Sequence, residues 1–378
     1  MQRTITDDEL IEALRVHGST NKTAKALGMN RRSLDRRRKR LALKGFSPEH
    51  DMTHTVPDGF LVKGTSRYYN KHGELAGEWV KSAVDRERMH ELLVEAIAAM
   101  VADLPRLPAR KVAKGSYRTD LMACYPIGDP HVGMKAWAEE CGKNWDLEIA
   151  ERVHCGVMRD LVERAPATDE CQIIELGDLF HYDSMEAKTP RSGHALDADG
   201  RYAKMIRVGI KIVRQCIETA LTKHRIVNVR IVPGNHDETG ALFLTEALAN
   251  IYEKEPRVRI DRSPGLFSYF EFGKNLVGAH HGHTCKPGSL PLVMAADMPE
   301  AWGRTKHRYW WMGHVHHERN VEHPGCSVES FGTNAPNDAY AKNGGWRSRE
   351  QSKCIILHRE LGEVVRFTSH PAMLDNPI

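Results

Sequence analysis

Apolar positions along the chain recur first at helical spacing and then, after Tyr117, in alternating strands and helices, and that change divides the sequence. Near the start, acidic Asp7, Asp8 and Glu9 favour a helix N-terminus, Leu10, Ile11, Leu14 and Val16 form its apolar stripe, and Gly18 stops it. A second helix over Asn21–Leu27 ends at Gly28, and a third, capped by Asn30, runs from Arg31 to about Leu43. Further on, Arg67–Tyr69 and Leu75–Val80 flank a turn and predict a β-hairpin, and residues Arg86–Leu104 are apolar at helical spacing. Pro105 and Pro108 mark the end of that helix. From there the pattern predicts strands at Leu121–Ile127, Cys171–Leu176, Val227–Val232, Leu276–Ala279 and Tyr309–Met312, with helices at Leu147–Arg164, Tyr202–Thr222 and Ala241–Tyr252. The expected organisation is an all-α domain over 1–46, a connector over 47–115 and an α/β domain over 116–378.

With 378 residues, the chain can bury a substantial core in its largest domain. Its 41% hydrophobic and 28% charged content is that of a soluble globular protein, and no apolar run is long enough to span a membrane, so no membrane partner is expected. The first residues lack a secretory pattern and none of the eight cysteines forms a CxxC pair, which points to a reducing cytoplasm, bacterial or that of a phage-infected cell. Charge is uneven. The first 45 residues hold 12 Lys/Arg against 5 Asp/Glu while the whole chain nets only +4, so the remainder is slightly acidic and the two parts meet different partners.

A helix, a turn at Gly28 and a helix loaded with basic residues is the layout of a helix-turn-helix, whose last helix lies in the DNA major groove. This segment resembles the three-helix DNA-binding domains of the Fis and resolvase type. The resemblance makes Asn30, Arg31, Arg32, Arg36, Arg37, Lys39 and Arg40 the candidate DNA contacts, DNA the expected partner, and a homodimer the expected assembly, because such modules work in pairs on two half-sites. A solvated basic face and a protein-assembly module are the competing readings.

Each predicted strand of the large domain is followed at once by a polar, glycine-containing motif: GDPH with Asp129 and His131, GDLFH with Asp178 and His181, GNHD with Asn235, His236 and Asp237, HHGH with His281, and GHVH with His314 and His316. Loops at strand ends are where an α/β scaffold gathers polar groups in one crevice. The five motifs in this order resemble the calcineurin-like metallophosphoesterase superfamily over roughly the last 260 residues. That resemblance implies a four-layer αββα sandwich and two divalent ions bridged by Asp178, with Asp129, His131 and His316 on one and Asn235, His281 and His314 on the other. Two such ions on one water would lower its pKa to about 7 and supply hydroxide for in-line attack on phosphorus. His236, catalytic by the same resemblance, would protonate the leaving oxygen or stabilise phosphoryl charge, with Asp237 orienting its ring. His181 is expected near the metal ligands or the phosphate. His280, His283 and His317 read as core histidines, and Trp310 and Trp311 as core packing. No cysteine or serine sits in a nucleophile motif.

The ligand types, imidazole, carboxylate and amide without thiolate, favour manganese, with iron, zinc and magnesium as alternatives. GDLFH and GNHD together resemble the DNA-repair nuclease branch, and the joining of this domain to a helix-turn-helix resembles phage-encoded phosphoesterases. A tethered DNA-binding helix benefits an enzyme whose substrate is DNA. The expected function is therefore a DNA nuclease, with Arg191 and His194 of the loop at residues 189–197 as phosphate contacts. The alternative is a DNA-binding regulator whose phosphoesterase domain hydrolyses or senses a small nucleotide diester.

Overall fold

A computed structural model describes residues 5–43, 46, 60–70, 72, 75–84, 116–190, 193 and 195–374. The chain divides into two compact units, Met1–Ala96 and Ile97–Ile378.

The first unit begins with α1 (Asp7–His17), α2 (Thr20–Ala26) and α3 (Arg31–Leu43). Thr6 and Glu9 form a reciprocal capping box at α1, Ser19 caps α2, and the Asn30 side chain accepts from the Arg32 N–H at 2.9 Å. Gly18 and Gly28 take left-handed φ values of +60° and +62° at the two turns, a conformation that a side chain would strain. Leu10, Ala24, Leu34, Leu41 and Phe46 make a small core. Leu34 and Leu41 sit two turns apart on α3, so Arg32, Arg36 and Lys39 are left on its solvent face. The predicted hairpin is longer than its sequence signal: β1 (Phe60–Tyr69) pairs antiparallel with β2 (Leu75–Val84). The helix expected over Arg86–Leu104, and the prolines after it, lie outside the described residues.

The second unit runs β3 (Arg118–Ile127), α4 (Ala138–Cys141), α5 (Leu147–Arg164), β4 (Thr168–Glu175), α6 (Tyr202–Ala220), β5 (Ile226–Ile231), α7 (Glu238–Ile251), β6 (Val258–Ile260), β7 (Ser268–Phe272), β8 (Asn275–Ala279), α8 (Leu290–Asp297), α9 (Pro299–Arg304), β9 (His307–Met312), β10 (Arg319–His323), β11 (Cys326–Ser330), α10 (Ala339–Asn343), β12 (Ser352–His358) and β13 (Gly362–Ser369). Six strands form one sheet in the order β13-β12-β3-β4-β5-β6, and five form another in the order β10-β11-β9-β8-β7. Strands β3 to β6 are parallel, as are β8, β9 and β11.

Alternation along the strands builds the layers. On β3, Ala123 and Tyr125 face a core shared with α5, α6 and α7, while Met122 and Cys124 face a second core with Val277, Ala279 and Trp311 of the other sheet. Neighbouring Trp310 points the opposite way, into a third core with Leu290, Met294 and Ala301 of α8 and α9. The result is the expected αββα sandwich, and both tryptophans are core residues at 0% and 1% exposure. Each fully buried Leu or Ile in such layers stabilises by about 1.5–3 kcal/mol. All five predicted strands and three predicted helices are present. β6, β7 and β10 to β13 were not anticipated.

Candidate metal centre

The parallel strands β3, β4, β5, β8 and β9 each run directly into one of the five polar motifs, so their ends fix where Asp129, Asp178, Asn235, His281 and His314 begin. The loops are tight. Among the described residues, the non-glycine positions with left-handed φ are Asp129, His131, Asp178, His314 and His316, between +43° and +70°. Such a conformation costs roughly 1–2 kcal/mol for a residue with a side chain, and it persists only where surrounding structure imposes it. Glycines supply the clearance. A Cβ at Gly234 would overlap the Asp178 carboxylate, and one at Gly177, itself at φ +97°, would come within 2.5 Å of His281 Nδ1.

These loops bring the side chains into adjoining clusters. In the first, His316 Nε2 lies 3.4 Å from Asp129 Oδ1 and 3.0 Å from His131 Nε2. In the second, His281 Nε2 lies 3.1 Å from Asp178 Oδ2 and 3.0 Å from Asn235 Oδ1, and His314 completes the group. His281 Nδ1 donates to the Leu176 carbonyl at 2.8 Å, which turns Nε2 toward the cluster. Asp129 Oδ1 accepts from the His314 N–H at 2.9 Å, and the Thr333 hydroxyl donates to the Asp129 carbonyl at 2.6 Å. The donor set of carboxylate, imidazole and amide oxygen, converging at about 3 Å, suits a divalent cation.

Electrostatics within the cluster follow from burial and proximity. Burial pushes His131 well below the ordinary imidazole range, and His316 and His236 add to it. For His281 burial acts the same way, but the Asp178 and Asp129 carboxylates outweigh it and raise the imidazole to about 10. Asp178 is held well below the usual carboxylate range, the attraction of His281 overcoming the cost of its burial. Both carboxylates are almost fully enclosed, at 0% exposure for Asp129 and 1% for Asp178, and buried carboxylates of this kind need a positive partner.

Other expected site residues take different roles. Asp237 does not orient the His236 ring. Its carboxylate accepts from the backbone N–H groups of Asp178, Phe180 and Gly234 at 3.0–3.2 Å, tying two motif loops together, and burial with nearby Asp178 raises it to about 7. The His236 ring is held instead by the His181 carbonyl, 2.8 Å from its Nδ1, and stacks on the His181 ring. His181 is buried, with Nδ1 3.2 Å from His131 Nδ1 and with Nε2 lacking a hydrogen-bond partner among the described residues. His280 is a core histidine, satisfied by Thr284 and the Gly282 N–H, whereas His317 is exposed on the cavity rim rather than in the core. Arg191 and His194 lie outside the described residues. In the first unit Arg31, Arg32, Arg36, Lys39 and Arg40 are exposed, and Asn30 spends its side chain on capping. Arg37 turns inward to pair with Asp7 and the Ile5 carbonyl, so it braces α3 against the start of α1 and is a poor candidate for contacting DNA.

A cavity of about 1010 Å³ opens over both clusters. His131, Asp178, Asn235, His236, His314 and His316 lie along it, and the insert expected to face substrate contributes Thr189, Ala195, Leu196 and Asp197. One wall went unnoticed in the sequence: residues 336–338, 341 and 345–348, including an exposed Trp346. A tryptophan between glycines and arginines belongs to no periodic pattern, and that isolation was the available signal.

Residues 7–41 match the family described as bacterial regulatory protein, Fis family. No curated protein matches the chain. Similar solved structures include vacuolar protein sorting 29 from Cryptosporidium parvum, at 13% identity over 66% of this chain and 96% of that one with a TM-score of 0.30. A conserved uncharacterised protein, predicted to be a phosphoesterase, from Streptococcus pneumoniae TIGR4 has 12% identity over 66% and 98% with a TM-score of 0.26. The 5'-nucleotidase from Candida albicans SC5314 has 10% identity over 67% and 54% with a TM-score of 0.28. Likenesses at this level carry no chemistry over to this chain.

Proposed function

We propose that this chain is a metal-dependent phosphodiesterase with two divalent ions, acting as a nuclease on DNA. Asp129, His131, Asp178 and His316 would hold one ion, and Asp178, Asn235, His281 and His314 the other. The observation that carries the reading is the convergence of carboxylates, amide and imidazoles on loops where five of the seven proposed ligand positions adopt strained left-handed backbone. Strain concentrated at one cluster is typical of functional sites. Manganese is the proposed metal, since the clustered donors are nitrogen and oxygen with no thiolate. When bound, two such ions supply Lewis acidity at a phosphoryl oxygen and a water of lowered pKa.

The protein's own residues do the rest. Nδ1 of His236 donates to the His181 carbonyl, so the ring exchanges its second proton at Nε2, beside the cavity, and can protonate a leaving oxygen there. With His131 ligating through Nε2, its Nδ1 would carry the hydrogen toward His181 Nδ1 at 3.2 Å and leave His181 with its own hydrogen on Nε2, a buried atom that has no hydrogen-bond partner among the described residues. A buried donor of this kind calls for a partner, and a substrate phosphoryl oxygen supplies one. Asp237 holds the Asp178 and Gly234 backbones in register. The match of residues 7–41 and the exposed basic face of α3 support DNA as the partner, a homodimer on paired half-sites, and the cytoplasm of a bacterial or phage-infected cell as the setting.

That same match, to a family of regulatory proteins, favours a second reading, in which the basic helix recognises an operator and the second unit clears or senses a small nucleotide diester. One assay separates them. Purified chain reconstituted with manganese should degrade labelled DNA and hydrolyse bis(p-nitrophenyl) phosphate, and Asp178→Asn should abolish both. A protected footprint on uncut DNA, with the small diester still hydrolysed, would select the regulator, and loss of neither activity in the variant would remove the metal centre from the account.

A further inference from the structure

Of the large side chains along the cavity, Trp346 is the one the core does not explain. The residue is 57% exposed, in contrast to the enclosed Trp310 and Trp311 of the same unit. Leaving that much apolar ring in water is unfavourable, and beside a catalytic cleft such a ring marks a contact surface. The position of Trp346 is fixed by the backbone. Gly345, at φ +78°, turns the chain, the Trp346 N–H donates to the Ala341 carbonyl at 3.1 Å, and the Arg347 guanidinium donates to the carbonyls of Trp346 at 2.6 Å and Lys342 at 3.2 Å. The turn therefore presents a planar aromatic ring beside a guanidinium at the edge of the cavity whose floor holds His131, Asp178 and Asn235. Val315, 42% exposed between His314 and His316, adds a second apolar surface next to the metal-binding loops. Of the acidic groups along the cavity besides Asp178, Asp338 spends its carboxylate on the Ala341 N–H and Asp197 lies with the insert, away from this turn in sequence.

We propose that Trp346 is a base-stacking platform that seats one unpaired nucleobase of a DNA strand beside the metal centre, with Arg347 facing the adjoining phosphate. The inference rests on the nuclease reading and names the part of the substrate that this wall holds. An aromatic ring and a cation together fit a nucleotide: the ring matches the π-face that every base carries, and the guanidinium matches the phosphate. In a duplex both faces of a base are covered by its neighbours, so stacking on Trp346 requires an unpaired strand or a flipped base. The contact is indifferent to sequence, because all four bases stack.

The test compares a fluorescein-labelled thymidine pentanucleotide with an abasic strand of the same length and charge, measuring equilibrium anisotropy on the full chain in calcium. The wild-type protein should bind the base-bearing strand about 5- to 150-fold more tightly than the abasic strand. Trp346→Ala should bring that ratio close to one, and Trp346→Phe, which keeps a ring, should preserve most of it. A ratio near one in the wild type, or an undiminished ratio in Trp346→Ala, overturns the proposal. Degradation of labelled DNA by the wild-type chain in manganese reports on the nuclease reading separately: DNA cut in manganese with a binding ratio near one in calcium overturns the stacking platform alone, and DNA left uncut overturns the nuclease reading.

Discussion

The two units of this chain place their charge in opposite ways. The first leaves Arg32, Arg36 and Lys39 in solvent on one face of α3, above a small core of Leu10, Ala24, Leu34, Leu41 and Phe46. The second encloses Asp129, Asp178 and His281 at no more than 1% exposure, between loops that leave no room for adjustment. An exposed cation needs only to be on the correct face. A buried carboxylate needs a partner at a fixed distance, and the backbone has to be bent to provide it. Substitutions should therefore behave differently in the two units, and the following outcomes would sharpen the contrast or break it.

The largest effect is expected from a residue that touches no substrate. Gly234→Ala inserts a methyl group into the Asp178 carboxylate, and a displacement of the order of 1 Å at a catalytic group costs about 10²-fold in rate. Diester hydrolysis should fall by that factor or more, as followed by p-nitrophenol release, while duplex binding by the first unit is unchanged. A parallel loss of binding would show that the contrast is not one between independent devices. Next, Leu34→Ala should cost about 2–5 kcal/mol of the first unit's stability, measured by denaturant titration, because Leu34 is fully buried in a core with few other members.

Replacing Arg32, Arg36 and Lys39 with alanine should leave helicity intact and make the salt dependence of duplex binding shallower by about 0.9 in slope for each phosphate contact removed. Arg37→Ala should instead destabilise the helices, because its guanidinium is engaged by Asp7 and Ile5. An equal loss of stability from both variants would mean that the exposed face is also structural.

The smallest effect concerns pH and a buried histidine remote from the metal loops. His224 lies between the Tyr125 hydroxyl and Thr168, and burial, with Lys223 nearby, lowers it to about 3 against an unfolded value near 6.5. The unfolded chain binds the proton first, so the contribution of neutral His224 is complete above pH 6.5 and is lost as pH falls toward 3. The melting temperature of the second unit should drop by about 2–4 °C per pH unit in that window on this group's account, and His224→Gln should remove that part of the slope.

What the sequence disclosed follows the same division. Helix α5 was legible from end to end because its apolar residues repeat at helical spacing, β8 because it is buried throughout, and β3 and β9 because each ends in an apolar run, while β4 and β5 keep Gln172, Asn228 and Arg230 among apolar neighbours. Strands β10 and β13 escaped notice since they are edge strands with much of their length exposed, and polar residues there mask the alternation. The candidate ligands were readable because motifs that demand bent backbone and glycine clearance leave a rigid signature. Partners formed only in three dimensions were not: the three backbone donors of Asp237, the inward turn of Arg37 and the exposure of His317 depend on which loops meet. Trp346 was silent for a related reason, since the cavity it shares with the histidines of distant loops forms only in the fold.

Asp178 is proposed to lie between two metal ions held by the five loops. Crystals of the full chain soaked in manganese, with data collected at the manganese absorption edge, test it directly. Two anomalous peaks are expected about 3.5–4 Å apart, one beside Asp129, His131 and His316 and the other beside Asn235, His281 and His314, with Asp178 touching both. A single peak, or peaks away from these side chains, would contradict it.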